Sequence, residues 1–233
     1  MTLQIGFLLF PKVQQLDLTA PYEVFASLPD TTMHLVWKNT DPVTSATGLR
    51  LTPTATFASC PPLDILCVPG GVGIDALLED VPTLDFIRRQ AENARYLASV
   101  CTGALVLGAA GLLRGRRATT HWASHDFLSA FGAIPVQARV VQDGALITGG
   151  GVTAGIDMAL TLAAELFDRT TAESVQLHLE YAPAPPFSAG HPDSAPAEAL
   201  RRAQERAAPA LAARRETVLR ISRKMAASGG KTA

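Results

Sequence analysis

Short, almost uninterrupted apolar runs alternate with helix-forming segments along most of this chain. Such runs occupy residues 3–10, 64–68 and 95–100, and proline, glycine or small residues follow each of them. Runs of this kind are typical of strands that are buried on both faces of a parallel sheet. Their alternation with helices predicts a doubly wound, mostly parallel sheet in a three-layer α/β/α arrangement.

Length and composition favour one large domain over two. The chain has 233 residues, of which 48% are hydrophobic, so it can bury a sizeable core. Its 20 basic and 21 acidic residues give a net charge of −1, which argues against a nucleic-acid partner. No apolar stretch approaches the roughly 20 residues of a membrane span, and the N-terminus lacks the pattern of a signal peptide. We therefore expect a cytoplasmic protein without a membrane partner.

Three cysteines occur, at Cys60, Cys67 and Cys101. Their number is odd and their spacing does not match a metal site, so we expect free thiols and neither a metal nor a cofactor. Cys67 lies within an apolar strand and is interpreted as core, whereas Cys60 precedes two prolines in a loop. Cys101 is the candidate for a reactive thiol.

Several further elements can be predicted. Helices are expected at residues 17–28, 104–113, 122–131 and 154–167, a strand at 49–57, and a hairpin around Asp143-Gly144. Residues 182–196 are rich in proline, glycine and alanine and indicate an extended arm. A helix over 198–227 follows, with an expected interruption near Pro209 and fraying from Ser228. We thus expect an α/β domain over 1–187, and an arm and helix over 188–233 that pack on it or on a dimer partner.

The segment Val100-Cys101-Thr102-Gly103-Ala104 joins a predicted strand to a predicted helix. A turn of this kind can expose one side chain at the carboxyl end of a sheet, as a nucleophile elbow does. The helix N-terminus favours thiolate over thiol, which would activate Cys101. The alternative is that Cys101 is a small buried core residue, because free cysteine is often buried.

The same residues carry a resemblance to a known family. The chain resembles the ThiJ/PfpI superfamily, which has a flavodoxin-like fold related to class I glutamine amidotransferase domains, and within it the bacterial isocyanide hydratases. The matching segments are residues 5–11, 15–19, 69–71, 99–103, 111–122, 148–157 and 179–187. The resemblance implies that Cys101 is the nucleophile and Asp17 its acid/base partner. From the residues alone, the N-cap of its helix is the favoured interpretation of Asp17, and the resemblance reverses that preference.

The resemblance also implies a reaction, the hydration of an isocyanide to an N-substituted formamide through a thioimidate on Cys101. A hydro-lyase of this kind would use Thr102 beside the sulfur, and Gly71 and Val152 as walls or oxyanion contacts. His121 and Trp122 could contribute to binding, although His121 could instead be a hydrogen-bonded core residue. No arginine or lysine adjoins the reactive motifs, which favours a small neutral substrate.

Two other functions compete with this interpretation. Ligand-sensing domains of AraC-type regulators resemble the same segments at 16–25 and 116–122, but they continue into a helix-turn-helix region that this chain lacks room for. A stand-alone redox sensor would also use a reactive thiol at a helix start. The family resemblance further implies a homodimer, whereas a tail helix folded on its own subunit is the alternative.

Overall fold

The computed structural model describes residues 2–229. Its strands are β1 (Leu3–Leu8), β2 (Thr31–Trp37), β3 (Val43–Thr44), β4 (Arg50–Leu51), β5 (Ala55–Thr56), β6 (Ile65–Val68), β7 (Tyr96–Val100), β8 (Arg117–Ala118), β9 (Ile134–Pro135), β10 (Val140–Asp143) and β11 (Leu146–Gly149). Its α-helices are α1 (Gln15–Ala26), α2 (Ile74–Leu77), α3 (Val81–Ala91), α4 (Gly103–Ala109), α5 (Ala154–Leu166), α6 (Arg169–His178) and α7 (Ala197–Gly229). A 3₁₀ helix spans Trp122–Phe131.

A seven-stranded sheet in the order β10-β11-β7-β6-β1-β2-β5 forms the centre of the molecule. Every neighbouring pair is parallel except β10 and β11, which form the predicted antiparallel hairpin. The helix α1 packs against α5, and α3 packs against α4. The predicted three-layer, flavodoxin-like α/β/α fold is confirmed.

The central strands β1, β6 and β7 carry the core. Ile5, Phe7, Ile65, Cys67 and Val100 are fully buried, as expected for strands that are covered by helices on both faces. Burial of such apolar side chains is the main favourable contribution to folding. It also fixes the carboxyl ends of β6 and β7 side by side, which is the point from which the site is built.

Some predicted elements differ from the structure. Residues 49–57 form two short strands, β4 and β5, because Pro53 between them cannot donate to a ladder. The segment 122–131 is a 3₁₀ helix rather than an α-helix. The predicted interruption near Pro209 is wrong, since α7 runs through it. Ser228 and Gly229 are helical, and the rest of the predicted frayed end lies outside the described residues.

Candidate active site

Cys101 occupies the turn between β7 and α4. Its φ angle is 56°, in the left-handed region that non-glycine residues seldom adopt. Backbone contacts hold this conformation: the Cys101 N–H donates to the Gly149 carbonyl at 2.9 Å, and the Thr120 hydroxyl donates to the Cys101 carbonyl at 2.7 Å. An unfavourable backbone conformation that is fixed in this way is characteristic of functional sites.

Gly103, the first residue of α4, sets the distance between that helix and β6. A Cβ atom built on Gly103 would lie 1.9 Å from the carbonyl oxygen of Val68, closer than any atom can approach. Only glycine therefore allows α4 to start directly beneath the turn that carries Cys101.

Asp17 is fully buried and lies in the first turn of α1. Its Oδ2 atom accepts a hydrogen bond from the Gly70 N–H at 3.0 Å, while Oδ1 receives no nitrogen or oxygen donor from the residues that the structure describes. The N-cap position of α1 belongs to Gln14. The alternative in which Asp17 only caps its helix is therefore wrong.

Burial dominates the electrostatics of Asp17 and Cys101. It raises the pKa of the Asp17 carboxyl to about 7, against opposing hydrogen bonds from the Cys101 thiol and the Gly70 N–H. Burial, and then the negative charge of Asp17, raises the pKa of the Cys101 thiol well above its ordinary value. The Thr102 N–H at the start of α4 does lower the pKa of the thiol, as the sequence predicts, but these two effects outweigh it, so the expected net activation of Cys101 is absent.

Thr102 ties the cysteine turn to the loop after β6. The Gly71 N–H donates to the Thr102 hydroxyl at 3.0 Å, and the hydroxyl reaches the Gly71 carbonyl at 3.4 Å. Side-chain and backbone groups of Thr102 also lower the pKa of the Cys101 thiol, although burial and Asp17 prevail. Because the Gly71 N–H already donates to the Thr102 hydroxyl, it is not free to donate to an oxyanion. Gly71 instead forms part of the cleft wall.

A cleft of about 690 Å³ opens beside the Cys101 sulfur. Six of the seven residues predicted for the site line this cleft, and the seventh, Asp17, lies buried outside its lining. The six are Cys101, Thr102, Gly71, Val152, His121 and Trp122. The structure thus brings the predicted residues together from four separate loops.

His121 does not form a Cys–His pair through any hydrogen bond found among the described residues. Its Nδ1 atom instead accepts from the Ala123 N–H at 3.4 Å and caps the 3₁₀ helix. Burial, and then the nearby charge of Arg214, lowers the pKa of His121, so the ring is neutral at pH 7. The side chain forms part of the cleft wall, next to Trp122.

The far wall of the cleft comes from α7. The sequence predicts this helix but not its position over the cleft. Three arginines on this helix line the cleft, so the premise that no arginine is near the reactive residues is wrong. The α7 residues in the lining are Arg202, Ala203, Arg206, Ala207, Ala210, Leu211 and Arg214, and the other lining residues that were not predicted are Gln14, Val72, Ala123 and Ser124. The spacing of the α7 residues places them on one face of a helix, but the sequence alone does not show which surface that face contacts.

Arg214 fastens α7 to the domain. Only 5% exposed, it forms an ion pair with Asp75 of α2 at 2.6 Å and donates to the Ser124 hydroxyl at 3.0 Å. Further along α7, Arg220 forms an ion pair with Glu79. These contacts, with buried Val218, keep α7 over the cleft.

No three His, Cys, Asp or Glu side chains within residues 2–229 converge so that they could hold a metal ion. None of the helices in this part of the chain combines the length and apolarity required to cross a bilayer.

The family model described as DJ-1/PfpI matches residues 4–165. The chain is 65% identical over 225 residues to an isonitrile hydratase of Pseudomonas putida, covering 97% of this chain and 99% of that protein. Among solved structures, a ThiJ/PfpI family protein from Pseudomonas syringae superposes with a TM-score of 0.90 at 45% identity. That superposition covers 95% of this chain and 91% of the other.

A transcriptional regulator is also similar, but only in part. The HTH-type regulator CdhR of Pseudomonas aeruginosa is 33% identical over 57% of this chain, and the match spans 40% of the regulator. A match over part of both chains agrees with the partial resemblance to such regulators that the sequence predicts.

Proposed function

This chain belongs to the DJ-1/PfpI family, and on that premise we propose that it hydrates a small isocyanide to an N-substituted formamide. Its membership confirms the resemblance predicted from the sequence. The observation that carries the proposal is the near full-length identity to an isonitrile hydratase. The regulator alternative has less support, because its likeness covers little more than half of the chain.

In the first step, we propose, one proton moves within the Cys101–Asp17 pair. A carboxyl with a pKa near 7 beside a protonated thiol can accept the thiol proton as the sulfur attacks. The sulfur bonds to the terminal carbon of R–N≡C, and Asp17 then delivers the proton to that same carbon. This gives the thioimidate R–N=CH–S on Cys101 and returns Asp17 to its carboxylate form.

Water completes the reaction in the second step. The Asp17 carboxylate accepts a proton from the water that adds to the thioimidate carbon, and the nitrogen takes up that proton. The tetrahedral adduct then loses its hydroxyl proton, the C–S bond breaks, and the sulfur of Cys101 recovers a proton. The sum is R–N≡C plus water giving R–NH–CHO, with both side chains restored.

The redox-sensor alternative fits the site poorly. Rapid oxidation of cysteine requires an accessible thiolate. Cys101 is only 6% exposed and its pKa is raised, so it is a slow target for peroxide. The same properties suit a nucleophile that is deprotonated only when its substrate is bound.

The remaining expectations stay predictions. A homodimer and a cytoplasmic location are carried forward from the sequence, as is the division into a domain over 1–187 and an arm and helix over 188–233. We retain Thr102 as a catalytic residue that steadies the sulfur or the developing charge, and Gly71, Val152, His121 and Trp122 as substrate-binding walls of the cleft.

The proposal is tested by adding para-nitrophenyl isocyanide to the purified, reduced protein and identifying the product by chromatography and mass. We expect the corresponding formamide at many turnovers per protein molecule. A variant with Cys60→Ser and Cys67→Ser controls for the other thiols and should also turn over. Failure of the folded, reduced protein to form any formamide would remove the proposed function.

A further inference from the structure

Arg206 is a cation without an acidic partner in the wall of the cleft beside Cys101. The positions three and four residues away along α7 hold Arg202, Ala203, Pro209 and Ala210, so the helix itself offers no counter-ion. Among the carboxylates that the structure describes, none lies within ion-pair distance of its guanidinium.

The other two arginines of the cleft are already paired. Arg202 bonds to Glu198 at 2.7 Å, and Arg214 bonds to Asp75 at 2.6 Å. No Asp or Glu belongs to the described lining of the cleft. The uncompensated positive charge of the cleft is therefore concentrated at Arg206.

Most of the remaining lining of the cleft is apolar, although Gln14, Thr102, His121 and Ser124 also belong to it. Trp122, Val152 and Leu211 contribute apolar surface, and the α7 residues Ala207 and Ala210 contribute only small side chains to the lining. Within this lining Cys101 is buried, whereas Arg206 is exposed to solvent. A ligand that fills this space has an apolar body between a reactive carbon and an anionic end.

We propose that the substrate is an isocyanide whose R group carries a carboxylate, and that Arg206 binds this carboxylate and determines specificity. This inference rests on the proposed function. A guanidinium presents two parallel N–H donors to the planar carboxylate, which fixes orientation as well as charge. Apolar contacts with Trp122 and Val152 then hold the body of R while its isocyanide carbon meets Cys101.

The test compares two isocyanides of similar shape, 4-isocyanobenzoate and 4-isocyanotoluene. The readout is the ratio of kcat/KM for the charged substrate to that for the neutral one, in the wild type and in Arg206→Gln. The matched control is Arg223→Gln, an exposed arginine of the same helix that does not line the cleft. Each assay is repeated in high salt, which screens an exposed charge pair.

We expect the wild type to prefer 4-isocyanobenzoate, and Arg206→Gln to lower the ratio by about 5- to 10-fold, since solvent weakens an exposed pair. High salt should lower the wild-type ratio, and Arg223→Gln should keep it. An unchanged ratio in Arg206→Gln, or a wild type that prefers the neutral substrate, overturns the inference while hydratase activity stands. Turnover of neither isocyanide is a failure of the proposed function itself.

Discussion

The Cys101 thiol and the Asp17 carboxyl regulate each other's ionisation. The Cys101 thiol lowers the pKa of the Asp17 carboxyl, and the negative charge of that carboxyl raises the pKa of the thiol in return. Because both groups are buried, removal of both protons is strongly disfavoured. The pair therefore holds one proton over a wide pH range, and this is the proton that the proposed reaction transfers to carbon.

The pH dependence of turnover follows from Asp17. Since its carboxylate must accept the thiol proton, kcat/KM should rise about tenfold per pH unit below 7 and level off above it. Steady-state assays from pH 5 to pH 9 in buffers of constant ionic strength measure this profile. A rate that is flat between pH 5.5 and pH 8 contradicts the assigned role of Asp17.

Alkylation separates the charge effect of Asp17 from its role in turnover. Asp17→Asn removes the negative charge that raises the pKa of Cys101, so iodoacetamide should modify Cys101 faster at pH 8. The same variant should hydrate isocyanide more slowly, because it lacks the proton acceptor. Peptide mass mapping distinguishes Cys101 from Cys60 and Cys67. Slower alkylation in the variant would contradict the charge effect, because it would mean that the carboxylate of Asp17 does not suppress ionisation of the thiol.

Asp17 also makes stability depend on pH. Its folded-state pKa of about 7 lies above the unfolded value near 3.8, so its burial costs nothing below pH 3.8 and progressively more up to pH 7. Asp17→Asn avoids this cost. Its advantage in the free energy of unfolding over the wild type should grow by about 2–3 kcal/mol between pH 5 and pH 8. Urea unfolding of both proteins at pH 5 and pH 8 measures this advantage. If the two proteins differ in the free energy of unfolding by the same amount at both pH values, the pKa of Asp17 is not raised.

The Gly103–Val68 contact predicts a steric cost. Gly103→Ala places a methyl group against the Val68 carbonyl and should lower the free energy of unfolding by about 2–3 kcal/mol, with loss of activity as the Cys101 turn shifts. Gly151→Ala is the control, because its Cβ would meet no atom within 4 Å. Equal stability of the two variants in urea unfolding would show that α4 can move away from β6 at no cost.

The ion pair between Arg214 and Asp75 should contribute more to the free energy of unfolding than an exposed ion pair does. Arg214→Met leaves Asp75 and Ser124 without their partner and should cost about 2–3 kcal/mol, the lower part of the buried range, because Asp75 is partly exposed. Arg169→Met, which breaks an exposed pair with Glu173, should cost less than about 0.5 kcal/mol. Thermal unfolding of both variants tests this. A similar small effect of both would mean that α7 is held by its apolar contacts alone.

Local patterns in the sequence predict the sheet and the cysteine turn well. Apolar runs indicate strands because strands between two helical layers must be apolar on both faces, and a strand followed by Cys101-Thr102-Gly103 leaves few alternatives to an elbow. Pro209 shows the limit of such reasoning, because tertiary contacts of α7 outweigh the local cost of a proline. The docking of α7 on the cleft depends on the ion pair between Arg214 and Asp75, which are 139 positions apart in the sequence. The raised pKa of Cys101 likewise depends on burial, which no local motif encodes.

The most direct test of the central claim is the mass of the protein during turnover. Acid quenching within milliseconds of mixing with para-nitrophenyl isocyanide should reveal a species heavier by one substrate molecule, with the addition on the peptide that contains Cys101. Cys101→Ala should form no such species and should lose at least about 10³-fold in kcat. Formamide production by Cys101→Ala at a rate near that of the wild type, with no adduct in either protein, would contradict covalent catalysis by Cys101.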